Sequence, residues 1–308
     1  MTSMQFSLIS FEGVSVLVYR DDLNHGVISG NKLHKLTPNI KLAKAKNCSA
    51  VLSFGGPYSN HLHALAWASK DAGIKSIGVV RGELQTGLTP TLKDCKKWGM
   101  HLQPSQRKDY REYQELLSSQ KQPCFANELN FPWLLDSQET TLVIPEGGSN
   151  AIAIDSITQA YRQVVASKQC RSITHALCAT GTGATLAGLY QATPAHIKTI
   201  GIQAVSEGDA TLKRISCWIN EKPSRLSIQQ GHLSGFGKTP IELKEFIEFF
   251  EDTYNIPLDP IYNGKAMFKL FKMISAGKFR TNDKILFIHT GGLQGKRNVG
   301  EKPNKDSQ

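Results

Sequence analysis

The stretch AVLSFGGPYSNHLHALAWASKDAG, residues 50–73, decides the fold class of this chain. It begins with a short apolar run that is typical of a buried strand, and its second half carries leucines and alanines at helical spacing. Between the two, Ser59 is a favourable residue to begin a helix, and Gly73 is a favourable residue to end it. A strand, a glycine-containing turn and a helix in this order form one unit of a parallel α/β sheet.

The same alternation continues along the rest of the chain. Further strands are predicted at residues 77–80, 142–144, 173–178, 197–205 and 285–289, and further helices at residues 90–98, 110–117, 154–165, 184–191, 241–254 and 265–276. The chain is therefore predicted to be an α/β protein of two lobes, each a twisted, mostly parallel sheet flanked by helices. Residues 1–36 and 146–308 are expected to form the larger domain, and residues 37–145 the smaller one.

The composition is that of an ordinary globular protein. Of the 308 residues, 40% are hydrophobic and 20% are charged, which excludes a disordered or collagen-like chain. The apolar runs are too short to span a bilayer and no signal peptide is recognised, so we expect a cytoplasmic protein without a membrane partner. The six cysteines are widely spaced, which favours free thiols and predicts no metal site.

The net charge of +10 has to be interpreted, because a basic chain can bind nucleic acid or can be an enzyme that acts on anions. The positive residues are scattered, and no basic stripe is interleaved with aromatic residues. This pattern favours a solvated surface, so no nucleic-acid partner is expected. A nucleic-acid-binding α/β protein without catalysis is the alternative from another functional class.

A glycine- and threonine-rich turn, ATGTGAT at residues 179–185, lies between a predicted strand and a predicted helix. We call it the Gly-Thr turn. Its backbone N–H groups, its hydroxyls and the helix start can hold a phosphate. A dinucleotide site is a second interpretation, because Gly181 and Gly183 are followed by the acidic Glu207, but Leu186 stands where a third glycine is wanted. A plain turn without a ligand is the third interpretation.

Another informative segment is SGNKLHKL at residues 29–36, which contains Lys32 and by itself reads as a loop with a solvated lysine. It is accompanied by other short pieces in a fixed order along nearly the whole chain. These are RDDL at 20–23, GGPYSNH at 55–61, IPEGGSN at 144–150, TGATLAG at 182–188, DPIYNGK at 259–265 and TGG at 290–292. In this order the pieces resemble the pyridoxal-phosphate enzymes of the tryptophan-synthase β fold, specifically the 1-aminocyclopropane-1-carboxylate (ACC) deaminase and D-cysteine desulfhydrase group.

The resemblance implies that pyridoxal 5′-phosphate binds in the cleft between the two lobes. Lys32 matches the lysine that holds this cofactor covalently and then acts as the base at the substrate carbon. The other implied cofactor contacts are Asn60, Gly181, Thr182, Gly183, Ala184, Thr185, Asn263 and Thr290. The implied substrate contacts are Ser59, Asn60, His61 and Tyr262, of which Ser59 and Tyr262 are also expected to take part in catalysis. The start of the predicted helix after Ser59 independently suits a carboxylate.

Four positions depart from the pattern of the deaminases. Phe236, in the turn at 235–237, stands where the deaminases have a second tyrosine, and Asn263 stands where they have a glutamate that faces the pyridine nitrogen. An asparagine cannot hold that nitrogen protonated as a carboxylate does, which suits β-elimination better than ring opening. His34 and Thr37 replace an arginine and a glutamate near the lysine.

These features predict α,β-elimination from a small amino acid, with D-cysteine converted to pyruvate, ammonia and sulfide. The alternative within the same group is ACC deamination to 2-oxobutanoate and ammonia. The resemblance also implies a homodimer.

Overall fold

The computed structural model of the chain describes residues 4–82, 87–118, 123–129, 131, 140–205, 209–233 and 239–298. The strands are β1 Phe6–Phe11, β2 Val14–Tyr19, β3 Ala50–Gly55, β4 Lys75–Arg81, β5 Met100–Ser105, β6 Cys124–Phe125, β7 Thr141–Ile144, β8 His175–Thr180, β9 Lys198–Gln203, β10 Leu226–Gln230 and β11 Lys284–Ile288. The helices are α1 Asn31–Ala45, α2 Asn60–Ala72, α3 Pro90–Lys97, α4 Arg107–Ser118, α5 Ala151–Val165, α6 Ala184–Ala192, α7 Ala210–Ile219, α8 Ile241–Tyr254 and α9 Asn263–Ser275.

The chain divides into two compact units, which we call the large unit and the small unit. The large unit comprises Met1–His34 and Ile154–Leu293, and the small unit comprises Lys35–Ala153 and Gln294–Gln308. The sequence predicts boundaries after residues 36 and 145 and assigns the segment from residue 294 to the larger domain. The structure groups that segment with the small unit, where Arg297 forms an ion pair with Asp94 at 2.7 Å.

The large unit contains a six-stranded sheet in the order β1-β2-β11-β8-β9-β10. All neighbours in this sheet are parallel except β1 and β2, which form an antiparallel hairpin. Glu12 and Gly13 make the two-residue turn of the hairpin, and both have positive φ angles, of 45° and 78°. Positive φ at both turn residues matches the twist of the paired strands.

Helices cover both faces of this sheet, and the alternation of side chains along β11 shows how. Ile285 and Phe287 belong to a buried cluster that includes residues of α8 and α9. Leu286 and Ile288 belong to a second cluster, which includes residues of α5 and α6. Successive side chains of a strand point to opposite faces, so a strand that is buried on both faces is apolar throughout.

The small unit contains a five-stranded sheet in the order β5-β4-β3-β7-β6. Its strands are parallel except β6, which pairs antiparallel with β7. Helix α2 follows β3, and its start at Ser59 and its end at Gly73 are as predicted: Ser59 Oγ accepts from Leu62 N at 3.2 Å, and Gly73 has a φ of 69°. The prediction of two α/β lobes with mostly parallel sheets is confirmed.

The segment around Lys32 was expected to be a loop, and this expectation is wrong. Residues Asn31–Ala45 form helix α1, with Pro38 inside it. A proline in a helix interior normally breaks the helix, so the local sequence conceals this element. Strand β10 and helix α7 were also not predicted, whereas α8 has the predicted bounds.

The remaining expectations concern the cysteines, membrane-spanning helices, Glu207 and Phe236. All six cysteines are free, and Cys217 is the exposed one among them. Over the described ranges, no helix is long and apolar enough to cross a membrane. Glu207 and the turn at 235–237 with Phe236 lie outside the described residues.

The central position of β11 leads to a stability prediction. Phe287→Ala should lower the free energy of unfolding by about 3 to 5 kcal/mol, because Phe287 is fully buried and its removal leaves a cavity between the sheet and α9. Leu8→Ala, on strand β1 with the leucine 65% exposed, is the control and should change the free energy by less than about 0.5 kcal/mol. Urea denaturation measures both, and equal effects of the two changes would contradict the described core.

Candidate active site

The predicted catalytic lysine follows a turn that is held tightly against the end of the sheet of the large unit. Gly30 has a φ of 69°, and its N–H donates to Asp21 O and to Asn24 Oδ1, both at 2.9 Å. A Cβ atom at position 30 would lie only 2.1 Å from Thr290 O. Only glycine fits this turn, because a side chain would both strain the backbone and collide with the segment after β11.

Asn31 connects Lys32 to the Gly-Thr turn. The Asn31 amide donates from Nδ2 to Thr185 Oγ1 at 2.9 Å, and its Oδ1 accepts from Lys32 Nζ at 2.9 Å. The lysine amine is thus one side chain away from the start of α6. The sequence did not single out Asn31, although it precedes the lysine in the GNK piece.

The environment of Lys32 favours a neutral amine. Burial lowers the pKa of Lys32 to about 8, although the nearby charge of Asp259 acts in the opposite direction. Removing an ammonium group from water disfavours its charged form, and this effect outweighs the attraction of the carboxylate here. The lysine therefore has a substantial neutral fraction in mildly alkaline solution and can act as a nucleophile or a base.

The Gly-Thr turn has the features of an anion site. Gly183, with a φ of 99°, is the residue before α6, and the first turn of this helix contains no acidic residue. The unbonded N–H groups at a helix start and the helix dipole attract negative charge. Arg214 of α7 donates from Nε to Thr182 O at 3.3 Å, which brings a positive charge to the turn. No sequence pattern indicated Arg214.

Tyr262 lies against the same turn. A Cβ atom at Gly181 would be 3.2 Å from Cε1 of the Tyr262 ring, so the ring packs directly on the glycine. The backbone N–H of Tyr262 donates to Asp259 Oδ2 at 2.7 Å. Glycine at position 181 thus permits the approach of a phenol that the sequence assigns to the substrate site.

Asp259 organises the start of helix α9. This fully buried carboxylate accepts from the backbone N–H groups of Ile261, Tyr262 and Asn263 at 3.0, 2.7 and 2.9 Å. It satisfies donors that a helix start otherwise leaves unpaired. The sequence assigned no role to Asp259, although an aspartate three or four residues before a helix is a recognisable capping signal.

The side chain of Asn263 is fully occupied within the protein. Its Nδ2 donates to Asp259 Oδ1 at 2.7 Å and to Gly291 O at 2.8 Å. Its Oδ1 accepts from Thr290 N and from Thr290 Oγ1 at 3.0 and 3.1 Å. These four bonds use the full capacity of an amide, so a contact to a cofactor ring requires one of them to break. The predicted contact of Asn263 with the pyridine nitrogen stays a prediction.

His34 takes part in a buried network behind the lysine. Its Nε2 lies 2.9 Å from Asp21 Oδ1, and Tyr161 donates its hydroxyl to Asp21 Oδ2 at 3.0 Å. Burial lowers the pKa of His34, but the charge of Asp21 and the hydrogen bond to it outweigh burial, so the pKa is raised. His34, in the first turn of α1, is thereby held against Asp21.

Three predicted site residues belong to the small unit. Ser59 begins α2, and the Oδ1 of Asn60 accepts a hydrogen bond from Gln294 Nε2. His61 is buried, with its Nε2 at 2.7 Å from Ser53 Oγ. Because the Ser53 hydroxyl donates to the Ile144 carbonyl at 2.6 Å, the proton between the two side chains comes from His61 Nε2.

The structure thus brings most of the predicted residues together within the large unit. The contacts described above link Lys32 to the Gly-Thr turn, the Gly-Thr turn to Tyr262, and Asn263 to Thr290. The roles of all these residues, and those of Ser59, Asn60 and His61, remain predictions. In the part of the chain that is described, no three His, Cys, Asp or Glu side chains gather as metal ligands.

A lysine of lowered pKa, linked through Asn31 to a potential anion site after a parallel strand, is suited to an enzyme that holds an anionic cofactor or substrate next to an amine. The family described as "Pyridoxal-phosphate dependent enzyme" matches residues 6–291 of this chain. The chain belongs to this family, and it is a pyridoxal-phosphate-dependent enzyme.

Individual relatives refine the comparison. The chain is 27% identical to a putative ACC deaminase of Pyrococcus horikoshii, covering 94% of this chain and 88% of the relative. It is 26% identical to the mitochondrial bifunctional D-cysteine desulfhydrase/ACC deaminase of Arabidopsis thaliana, covering 92% and 73%. A solved structure described as an ACC deaminase homologue superposes with a TM-score of 0.81 at 26% identity, covering 98% and 93%. The resemblance indicated by the motifs is confirmed.

The lowered pKa of Lys32 can be measured directly. Competitive acetylation of the apoenzyme, read by mass spectrometry, should give a reactivity of Lys32 that rises with pH through a midpoint of about 8, because only the neutral amine reacts. Lys244, whose side chain is 63% exposed, serves as the reference for reagent concentration. A midpoint at the ordinary lysine value of 10.5 would show that burial does not act on this amine as described.

The turn before the lysine gives a second test. Gly30→Ala should cost at least about 2 kcal/mol of stability, since a positive φ and an overpacked site each cost about 1 to 3 kcal/mol. It should also weaken cofactor binding at least about tenfold, because Lys32 is displaced. Gly26→Ala is the control, since a Cβ atom there meets no atom within 4 Å. Unfolding curves and cofactor titration check both, and an unaffected Gly30→Ala variant would contradict the described turn.

Proposed function

We propose that this enzyme catalyses α,β-elimination from a small amino acid, with D-cysteine as substrate and pyruvate, ammonia and sulfide as products. The observation that carries the proposal is Lys32, whose amine has a pKa of about 8 and is linked by Asn31 to the Gly-Thr turn. A base and an anion site in this arrangement suit proton removal from an amino acid. The bifunctional Arabidopsis relative, named for both desulfhydrase and deaminase activity, supports this substrate class.

The residues around Lys32 fit the cofactor of the family. Lys32 would hold it covalently, and the N–H groups and hydroxyls of the Gly-Thr turn would hold its phosphate, with Arg214 adding a positive charge. The glycine at position 181 leaves room that a Cβ atom would fill. When bound, the cofactor supplies a ring that accepts the electron pair left at the α-carbon of the substrate.

Lys32 and Tyr262 provide the proton transfers in the proposed reaction. The neutral Lys32 amine takes the proton from the α-carbon of the substrate, and its lowered pKa keeps enough of it unprotonated for this role. The Tyr262 phenol, packed on Gly181, can donate a proton to the departing sulfur. With this proton, the sulfur would leave as hydrogen sulfide and not as the hydrosulfide anion.

Ser59 and the start of α2 are the proposed site for the substrate carboxylate. Ser59 Oγ accepts from Leu62 N at 3.2 Å, so its own proton is available to donate to a carboxylate. The first turn of α2 contains no acidic residue, and its N–H groups add further donors. This site would orient the amino acid by its carboxylate.

The uncharged side chain at position 263 favours elimination over cyclopropane opening. The Asn263 amide forms its hydrogen bonds with Asp259, Gly291 and Thr290. It carries no negative charge that would keep a pyridine nitrogen protonated. A less protonated ring is a weaker electron acceptor, and β-elimination tolerates this because the leaving group takes up the electrons early. ACC deamination is the second candidate, favoured by the names of the Pyrococcus relative and of the solved homologue.

The products decide between the two candidates. We expect the enzyme to release pyruvate and sulfide from D-cysteine at least about tenfold faster than 2-oxobutanoate from ACC. Lys32→Ala should lower the elimination rate at least about 1,000-fold and remove the yellow colour of bound cofactor, because both need the amine. Lys41→Ala, an exposed lysine further along α1, is the matched control and should retain colour and rate.

Two outcomes would contradict the proposal. Faster release of 2-oxobutanoate from ACC would make the deaminase the correct function. A Lys32→Ala variant that keeps its colour and borohydride-stable attachment would show that another residue holds the cofactor.

A further inference from the structure

A cleft of about 470 Å³ opens in the small unit beside helix α4. It is lined by Arg81, Arg107, Tyr110, Arg111, Gln114 and Glu146. Arg81 ends strand β4, and Glu146 follows strand β7 after one residue. The carboxyl ends of parallel strands are the usual place for ligands in α/β sheets.

Helix α4 presents one continuous face to this cleft. Arg107, Tyr110, Arg111 and Gln114 are spaced three, one and three residues apart, which places them on the same side of a helix. The ring of Tyr110 anchors this side to the core of the unit, with its centroid 5.9 Å from that of Phe54. The arginines are therefore carried by a helix whose orientation is fixed by packing.

The charge of the cleft is positive. Three guanidinium groups face it together with one carboxylate, that of Glu146. Counting only described residues, Arg81, Arg107 and Arg111 form no ion pair, while Arg81 Cζ lies 5.7 Å from the centre of the Tyr110 ring. Arginines without a carboxylate partner, gathered around one cavity, create an attractive potential for an anion.

Two buried donors lie in the cleft. Nε2 of Gln114 is buried and has no hydrogen-bond partner within the described ranges. Tyr110 is only 3% exposed, and burial, the charge of Glu146 and a hydrogen bond to that carboxylate all raise the pKa of its phenol, so the phenol stays protonated. A buried donor without an acceptor costs about 1 to 3 kcal/mol, which a bound acceptor would offset.

We propose that this cleft binds a small molecule that carries a phosphate group. The guanidinium groups of Arg107 and Arg111 would hold the phosphate oxygens, because the planar arginine fork matches them with paired hydrogen bonds. Nε2 of Gln114 would donate to one of the remaining oxygens. Glu146 would accept from a hydroxyl or amino group on the body of the ligand. The proposal is independent of the amino-acid substrate assigned above.

Isothermal titration calorimetry of the holoenzyme with inorganic pyrophosphate tests this proposal. Saturation with cofactor fills the phosphate site of the Gly-Thr turn, so the remaining heat reports a different site. We expect one pyrophosphate per chain. Arg111→Gln should weaken binding at least about tenfold, since a charge-assisted pair is lost. Gln114→Leu should weaken it about threefold or more, because it removes the buried donor that has no partner within the described ranges.

Lys108→Gln is the matched control. Lys108 lies on the same helix and carries the same charge, but it does not line the cleft, so binding should change less than about twofold. Equal weakening by Lys108→Gln and Arg111→Gln would overturn the proposal, because it would reveal attraction by net charge alone. An absence of binding, or succinate binding as tightly as pyrophosphate, would also overturn it. Heats are measured without amino acid, so the result does not depend on the proposed reaction.

Discussion

The close contact between the Gly30 turn and the carbonyl of Thr290 is the constraint on which the site depends. A side chain at position 30 would come within 2.1 Å of that carbonyl, so the backbone of the turn lies directly against the segment that follows β11. Helix α1 begins immediately afterwards, and Lys32 is its second residue. The sheet of the large unit therefore sets the position of the Lys32 amine, because the lysine follows directly after a turn that lies against the segment after β11.

Asp259 is a buried carboxylate whose charge acts on the amine of Lys32. Asp259 caps α9 and also attracts the amine of Lys32, while burial acts against the charged form of that amine. Lys265 of α9 is fully buried, and burial lowers its pKa too, again opposed by Asp259. The charge of Asp259 thus opposes the effect of burial on the pKa of both lysines. An amine can therefore be largely removed from water and still keep a charged form at lower pH.

Much of the fold was predictable because central strands such as β3, β8 and β11 are buried and read as apolar runs, and many of the helices between the strands keep a clear period. Ser59 and Gly73 marked the ends of α2 correctly. Helix α1 was not predicted because Pro38 lies inside it, and a proline normally breaks a helix. Its stability comes from tertiary packing, which residue propensities do not report. Residues such as Arg214 were missed because they act at a site far away in the sequence.

The sequence by itself determined the family and the cofactor, since short ordered pieces such as GNK and the Gly-Thr turn are local and each requires particular residue types. Only the tertiary structure decided that Asn31 joins the lysine to Thr185, that the whole Asn263 amide bonds to protein partners, and that α4 places Arg107 and Arg111 beside a cleft. These features depend on distances between segments that are far apart in the chain, and residue order does not encode such distances until the chain has folded.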